Sequence, residues 1–410
     1  MELSDLYFAI LDIKKPWYVK DTIYNAEKKR VDVYLDHEEK GVFRCQYCNK
    51  KAPIYDHGKE RTWRHLDTCD LQTYIHAKLP RIDCAEHFVQ QIEISWAKDY
   101  SRFTKLMERY ILKIIFNVEV MSKACEICKI GWNTGFNLMK TNLDEETKAN
   151  KKIYPVHMGI DEKAIHKGHN YMTVITDLDT GEVVDVFETR TKEAVLAYFD
   201  SIPIKYRRKI KCISMDMWAA YYEAAMEAIP DAKRKIVHDR FHVMGYLNKA
   251  VNNVRIAEHR ELTNQNDDSL KGSKFLWLYN PENMPEKKVD DFEVLKELNL
   301  KTSVAWGFKE TFRHIYNYNV KGWAHRFFDN WYKCVEESAL KPMIKVADMI
   351  KRHIDNIVTY CDYKITNGKA EAVNSKIMAL KRKARGHHNF QNLRTAILFF
   401  YGQNRYNPLK

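Results

Sequence analysis

Two sets of side chains in this 410-residue sequence have the type and spacing to hold metal ions. The first is hard and acidic. Asp161 closes the apolar run Val156-His157-Met158-Gly159-Ile160, and Asp216 closes Ile210-Lys211-Cys212-Ile213-Ser214-Met215. A carboxylate at the end of a rigid strand suits a divalent cation that prefers oxygen ligands. Either aspartate alone would be read as the start of a turn. The third member, Glu371, lies in Thr366-Asn367-Gly368-Lys369-Ala370-Glu371-Ala372-Val373-Asn374. Thr366 or Asn367 can cap a helix there, with Glu371 near its first turn. Ala370, Val373, Ile377 and Leu380 supply a face to pack on a sheet. Such a helix, laid against both strand ends, completes a three-carboxylate metal site. Two carboxylates side by side can bridge paired divalent ions.

The second set is soft. Cys45-Gln46-Tyr47-Cys48 and Cys84-Ala85-Glu86-His87 are two knuckles, each preceded by strand-like sequence. Four such ligands close a tetrahedral shell around one zinc and leave no open position. The site is therefore structural, stabilising a small module expected to have little core of its own. His57, His65 and Cys69 lie between the knuckles and could replace one ligand. Cys125-Glu126-Ile127-Cys128 sits in a helical pattern without a partner pair and is read as small buried side chains. Arg61, Arg64, Lys78 and Arg81 give the module cations for DNA contact.

The elements that must position these groups follow in order. Trp17 to Tyr24 and Arg30 to Leu35 read as a hairpin around Asn25-Ala26-Glu27-Lys28. Phe103, Met107, Tyr110, Ile111, Ile114 and Ile115 recur at helical spacing. A short apolar face at Val120, Ala124 and Ile127 follows, then Trp132 to Lys140. Those two short helices suggest a helix-turn-helix whose second member enters a major groove. Lys129, Trp132, Asn133 and Lys140 are its candidate DNA contacts, although Lys129 stands where a turn glycine is usual and Gly135 weakens the second helix. Leu143 to Lys152 reads as a charged linker. Tyr171 to Asp177 and Val183 to Phe187 form a hairpin around Asp179-Thr180-Gly181. A helix from Thr191 to Ser201, the strand ending at Asp216, a helix from Trp218 to Ile229 and a strand from Lys235 to His238 complete the pattern. Strand, strand, strand, helix, strand, helix, strand is the order of the RNase H-like fold, in which the first and fourth strands are neighbours. Asp161 would then lie beside Asp216.

Residues 243–360 are mostly helical and basic, with Trp277, Trp306, Trp323 and Trp331, and carry no catalytic signature. They read as an insertion. Lys376, Lys381, Arg382, Lys383 and Arg385 form a basic cluster after Glu371, suited to phosphate contacts. The expected organisation is a zinc-binding module at 1–95 and a helix-turn-helix region at 96–150. An RNase H-like α/β domain with a mixed five-stranded sheet then occupies 151–242 and 361–410, split by the insertion at 243–360.

Composition fits that scheme. Hydrophobic residues make up 45% and charged residues 30%, as in a globular protein, and the formal charge of +12 points to a polyanionic partner. No apolar run approaches the roughly 18 residues of a membrane span, so no membrane role is expected. Met1 to Asp5 lacks the features of a signal peptide, which favours a cytoplasmic protein. Nine cysteines without such a signal favour thiols and metal ligands over disulfides.

Several stretches together resemble one family. These are Gly159-Ile160-Asp161-Glu162, His169-Asn170-Tyr171 with Asp177-Leu178-Asp179-Thr180-Gly181, Ser214-Met215-Asp216-Met217-Trp218-Ala219-Ala220-Tyr221 and His238-Asp239-Arg240-Phe241-His242-Val243. Asn367 to Asn374 and Lys381 to Gly386 extend the match, which covers nearly the whole chain. The sequence resembles the bacterial insertion-sequence transposases of the ISL-three type, within the DDE group. The resemblance implies that Asp161, Asp216 and Glu371 are the catalytic triad, and that the first 95 residues hold the family's zinc module. His87 departs from the family's usual cysteine. It implies two magnesium or manganese ions at the carboxylates, double-stranded DNA (terminal inverted repeats and target) as substrate, and a homodimer as the active complex. Asp239-x-x-His242 resembles a motif of several DDE families and is expected to brace the site or touch DNA. Rival readings are a nuclease that cuts branched DNA without joining, and an inactive DNA-binding regulator.

Overall fold

The computed structural model describes residues 3–11, 13–39, 41–150, 152–165, 171–298, 300–383 and 389–407. The chain divides into two compact units, Met1–Asp144 with Tyr406–Lys410, and Glu145–Arg405.

The first unit is built on a sheet of order β1-β2-β6-β5, formed by β1 (Trp17–Asn25), β2 (Arg30–His37), β5 (Ile54–Arg64) and β6 (Gln72–Cys84). β3 (Phe43–Arg44) and β4 (Lys51–Ala52) form a two-stranded ribbon, and β7 (Phe88–Gln91) extends β6 as a hairpin. The β1–β2 hairpin runs Trp17↔His37 to Asn25↔Arg30, as the turn residues foretold. The expectation of a module short of core is corrected. Val33, Trp63, Ile75 and Ile82 are fully buried, and Trp17, Trp63 and Trp96 meet edge to face. Long alternating strands supply this core, and the sequence reading passed over β5 and β6 because His, Lys, Arg and Glu interrupt their apolar positions.

Helices at Lys105–Val118, Met121–Ile127 and Trp132–Ala149 follow. The first is capped by Thr104, whose side chain accepts from the Met107 amide. Two expectations change here. Leu143 to Ala149 continues the third helix rather than forming a linker, because Leu, Glu, Lys and Ala favour a helix once its core face is anchored. Gly135 does not weaken that helix; it lets it approach its neighbour. A Cβ there would lie 2.7 Å from Cys125 Sγ, so only glycine fits. Lys129 adopts the left-handed conformation (φ 53°) at the turn between these helices, taking the place glycine usually fills. Cys125 and Cys128 are both buried, and burial pushes their thiols upward.

The second unit holds a mixed five-stranded sheet of order β10-β9-β8-β11-β12. Its strands are β8 (His157–Ala164), β9 (Tyr171–Asp177), β10 (Val183–Phe187), β11 (Cys212–Met215) and β12 (Ile236–His238). β8, β9 and β10 are antiparallel in sequence, and β11 pairs parallel with both β8 and β12. The first and fourth strands of the unit are therefore neighbours, as the element order required. Thr191 caps the Lys192–Ser201 helix by accepting from the Ala194 amide. The Ala219–Ala228 helix stops before Pro230.

Helices from Arg240–Thr263 to Lys341–Val358 enclose a separate core, with Trp277, Phe312 and Phe328 fully buried. Trp331 belongs to it, whereas Trp323 is exposed. The helix Gly368–Lys383 then returns to pack on β8 and β9, and Phe390–Tyr401 packs on β10. Ala370, Val373, Ile377 and Leu380 are all buried, so the expected apolar face is the one used. No helix among the described residues is long and apolar enough to cross a membrane.

Candidate metal centres

The first knuckle is made by the β3–β4 ribbon. The Cys45 amide donates to the Lys50 carbonyl, and Asn49 takes positive φ to close the turn back on Cys45. The second is the β6–β7 turn, where the His87 amide donates to the Cys84 carbonyl. The two turns bring four ligand atoms together. Cys45 Sγ lies 3.6 Å from His87 Nδ1, Cys48 Sγ 3.7 Å from Cys84 Sγ, and Cys84 Sγ 3.8 Å from His87 Nδ1. Zinc–sulfur bonds of about 2.3 Å in a tetrahedron put sulfurs about 3.8 Å apart, so the set fits a structural zinc. Gln90 Nε2 donates to Cys45 Sγ at 2.9 Å, a contact that stabilises a thiolate. Burial opposes ionisation of Cys45, but amide donors at Cys48 and Tyr47 outweigh it and bring the thiol down to about 6.

The alternative ligands are engaged elsewhere. His57 meets His37 at 2.8 Å, His65 meets Thr104, and Cys69 is exposed at a tight turn with positive φ.

In the second unit, Asp161 is a buried residue inside β8, not its end as the apolar run suggested: pairing with β9 carries the strand on through Glu162, Lys163 and Ala164. The β8–β11 register pairs Ile160 with Met215, so Asp216 falls beside Asp161 one residue further on. The imidazole of His242 lies between them: Nε2 is 3.7 Å from Asp161 Oδ1 and Nδ1 is 3.6 Å from Asp216 Oδ2. Nε2 is also 3.9 Å from Asp239 Oδ2. Contact with Asp161 pushes the imidazole up to about 8 against the opposing effect of burial. Burial of Asp161 acts to raise its pKa, yet His242 and Lys163 hold the carboxyl below the usual range; Lys163 Nζ is 3.1 Å from Asp161 Oδ2. Burial pushes Asp239 upward, reinforced by the charge of Glu371.

Glu371 is in the first turn of its helix, half-buried, and lines a cavity with Asp239 and Arg240. The helix is held at three points. Asn374 Nδ2 donates to Asp161 Oδ2 at 2.6 Å, Lys369 Nζ donates to the Asp179 carbonyl, and the Glu371 amide donates to the Asn367 carbonyl. The carboxamide of Asn367 itself bonds to nothing, so the expected side-chain cap is not made there. Gly159, two residues before Asp161, has a packing reason. A Cβ there would come within 2.9 Å of Leu178 and 3.4 Å of Asn367.

The structure thus brings Asp161, Asp216 and Asp239 to the His242 imidazole and sets Glu371 across from Asp239. Among the described residues, only the Cys45, Cys48, Cys84 and His87 set has all its ligand atoms within 4.8 Å of one another. The acidic site offers the oxygen donors a hard divalent cation needs, and it contains a buried oxygen, Asp239 Oδ2, that receives no hydrogen bond and faces the His242 imidazole at 3.9 Å. Asn374 and Lys163 escaped sequence reasoning. Both carried a signal: a buried asparagine in an apolar helical stripe must find a partner, and a residue two along a strand shares its neighbour's face.

Of the candidate DNA contacts, Lys129 Nζ is paired with Asp67 at 3.4 Å and Asp70 at 3.3 Å, and Trp132 stacks on Phe136. Asn133, Lys140, Lys376, Arg382 and Lys383 are exposed, and Lys381 is half-buried. Arg385 lies outside the described residues. Within the first unit, Arg81 pairs with Asp56, and Arg64 is buried against Asp67.

Comparison with known proteins gives a consistent picture. The family of ISL3-type DDE sequences described as "Transposase" matches residues 158–397. A second family, the "zinc-finger of transposase IS204/IS1001/IS1096/IS1165", matches residues 41–87. The chain is 24% identical to the transposase for insertion sequence element IS1001 of Bordetella parapertussis, over 88% of this chain and 89% of that one. It is also 24% identical to the transposase for insertion sequence element IS1557 of Mycobacterium tuberculosis, over 95% of this chain and 93% of the relative.

Proposed function

The chain belongs to the ISL3-type insertion-sequence transposases, and from that premise we propose that it cuts the ends of its element and joins them to target DNA. Asp161, Asp216 and Glu371 are the residues that would hold two magnesium or manganese ions. Such ions, when bound, activate the attacking oxygen and neutralise charge on the phosphate and leaving group. The observation that carries this reading is the pairing of β8 with β11, which sets Asp161 within β8 beside Asp216 just past the end of β11, with the Glu371 helix tied to Asp161 through Asn374.

The remaining residues prepare the site. Asn374 and Lys163 fix the Asp161 carboxylate in one orientation, so it need not reorganise when a cation arrives. With no cation bound, Asp161 and Asp216 favour the protonated imidazole of His242, which then offsets the acidic cluster. Asp239 and His242 act as braces. Lys140, Lys376, Arg382 and Lys383 are the exposed cations suited to DNA phosphates. Lys129 has less to offer, since its charge already meets two aspartates. Two equivalent ends must be processed, which makes a homodimer the active form in this reading.

The test is strand transfer. A duplex carrying the flanking repeat, pre-cut to leave a free 3′-hydroxyl, should be joined to plasmid DNA by the wild-type chain with magnesium. Asp161→Ala, Asp216→Ala and Glu371→Ala should each lose cutting and joining by at least about a thousandfold, equivalent to about 4 kcal/mol of barrier. Binding to the duplex should persist. An Asp216→Ala protein that cut at the normal rate would sink the site assignment, and cutting without joining would favour a nuclease.

A further inference from the structure

A cavity of about 520 Å³ opens beside Glu371, between the start of the Arg240–Thr263 helix, the 278–283 segment and the start of the Glu371 helix. That volume is on the scale of a small-ligand site. Three independent features of its wall have no explanation within the protein.

The first is a set of unsatisfied polar atoms. Asn367 is 2% exposed, lines the cavity, and has neither carboxamide atom hydrogen-bonded. Asn248 Oδ1, on the same wall, is likewise without a hydrogen-bond partner. Buried polar atoms are almost always paired, so three such atoms around one space point to a polar occupant. The second feature is Gly245. It sits inside the long helix, where glycine is costly, and a Cβ added there would meet nothing within 4 Å. No neighbouring protein atom demands the glycine, and its effect is to keep the cavity wall open. The third is Phe241, 66% exposed on that wall and set edge-on to His242 at 6.0 Å. An exposed aromatic beside carboxamides with free donors and acceptors is the chemistry that receives a nucleobase. The ring stacks on its face, and the amides read its edge.

We propose that this cavity takes one unstacked nucleotide of the DNA end, its base against Phe241 and its edge against Asn248 and Asn367, next to the strand handled by Glu371. Withdrawing a nucleotide from the duplex would bend the strand away from its stack and bring the adjoining phosphate down to a recessed site. The inference rests on the transposase reading above and extends it to the form of the bound DNA.

The test uses the full chain and a duplex of the flanking repeat with 2-aminopurine placed in turn at each of the terminal positions, without added magnesium. Wild-type protein should raise the fluorescence at a single position. Gly245→Met, which fills the cavity, should abolish that rise while still binding the duplex. Phe241→Ala should slow cutting by about tenfold or more, the scale of one lost base-stacking contact. An abasic residue at the responsive position should recover most of that loss, since no base then needs holding. Asn248→Ala gives the same readout if Gly245→Met folds poorly. A chain that cuts and joins its ends with no fluorescence response at any position overturns the cavity assignment and leaves the transposase reading standing. So does a response that survives in Gly245→Met. A chain that neither cuts nor joins overturns both.

Discussion

Asn374 Nδ2 lies 2.6 Å from Asp161 Oδ2, joining residues 213 positions apart. Both groups are buried, so the bond to a carboxylate is made where water cannot substitute. Asn374→Ala should lower stability by about 1.5–3 kcal/mol, the range for a hydrogen bond to a charged group. It should also reduce strand cutting without changing duplex affinity. Urea unfolding and a cleavage time course check the two halves. Loss of stability with normal cutting would make Asn374 a purely structural tie.

Gly135 gives a prediction opposite in sign to helix propensity. Alanine normally improves a helix interior by about 1 kcal/mol over glycine. At Gly135 the new Cβ would meet Cys125 Sγ at 2.7 Å, so Gly135→Ala should destabilise by about 1–3 kcal/mol instead. Cys125→Ala in the same chain should recover most of the loss. Thermal melting of the two single variants and the double variant measures the coupling directly.

The zinc knuckle should bind metal without being the sole support of its unit. Purified protein should contain stoichiometric zinc by elemental analysis, and Cys84→Ser should lose it. His87→Cys should keep it, since a fourth thiolate is as good a ligand. Far-UV circular dichroism of the Cys84→Ser protein should retain most of its strand signal, because Val33, Trp63, Ile75 and Ile82 are buried in a sheet core that includes Cys45 and Cys84 but extends well beyond them. Full unfolding of that variant would show that the metal, and not the sheet, holds the unit.

Acid should weaken the second unit through His238. Burial, with the nearby His353 adding to it, pushes the imidazole down to about 4 from an ordinary 6.5. The unfolded chain therefore takes up this proton below pH 6.5 while the folded one does not until about pH 4. Stability is present above 6.5 and lost as pH falls through that window, by about 1.4 kcal/mol per pH unit at its steepest. Denaturant midpoints between pH 7 and 4.5 should fall less steeply for His238→Phe than for wild type.

Much of the second unit was legible because its signals are local. Alternating apolar residues, the turn at Asp179-Thr180-Gly181 and the Thr191 cap each act within a few residues, and together they force the strand order that sets Asp216 beside Asp161. The Ala370, Val373, Ile377 and Leu380 stripe worked for the same reason. What escaped depends on partners distant in sequence. Asn374 looks like an ordinary helix residue until Asp161 is placed against it. Gly135 looks like a defect until Cys125 is seen beside it. The core of the first unit was missed because β5 and β6 expose charged residues on alternate positions, which hides their buried halves. The Leu143 to Ala149 helix was missed because charge density reads as linker when tertiary anchoring is unknown.

The wide separation of Asp161 and Asn374 also has a consequence in time. Chains are synthesised at roughly 5–20 residues per second, so on the order of 10–40 s pass between the emergence of the strand carboxylate and that of the helix that fixes it. For most of that interval all five strands of the sheet have been made, while the Gly368–Lys383 helix that packs on β8 and β9 has not. A ribosome that stalls between residues 243 and 360 releases a protein whose sheet lacks that covering helix. For an insertion-sequence transposase, a chain interrupted before Asn374 carries Asp161 without the bond that fixes it.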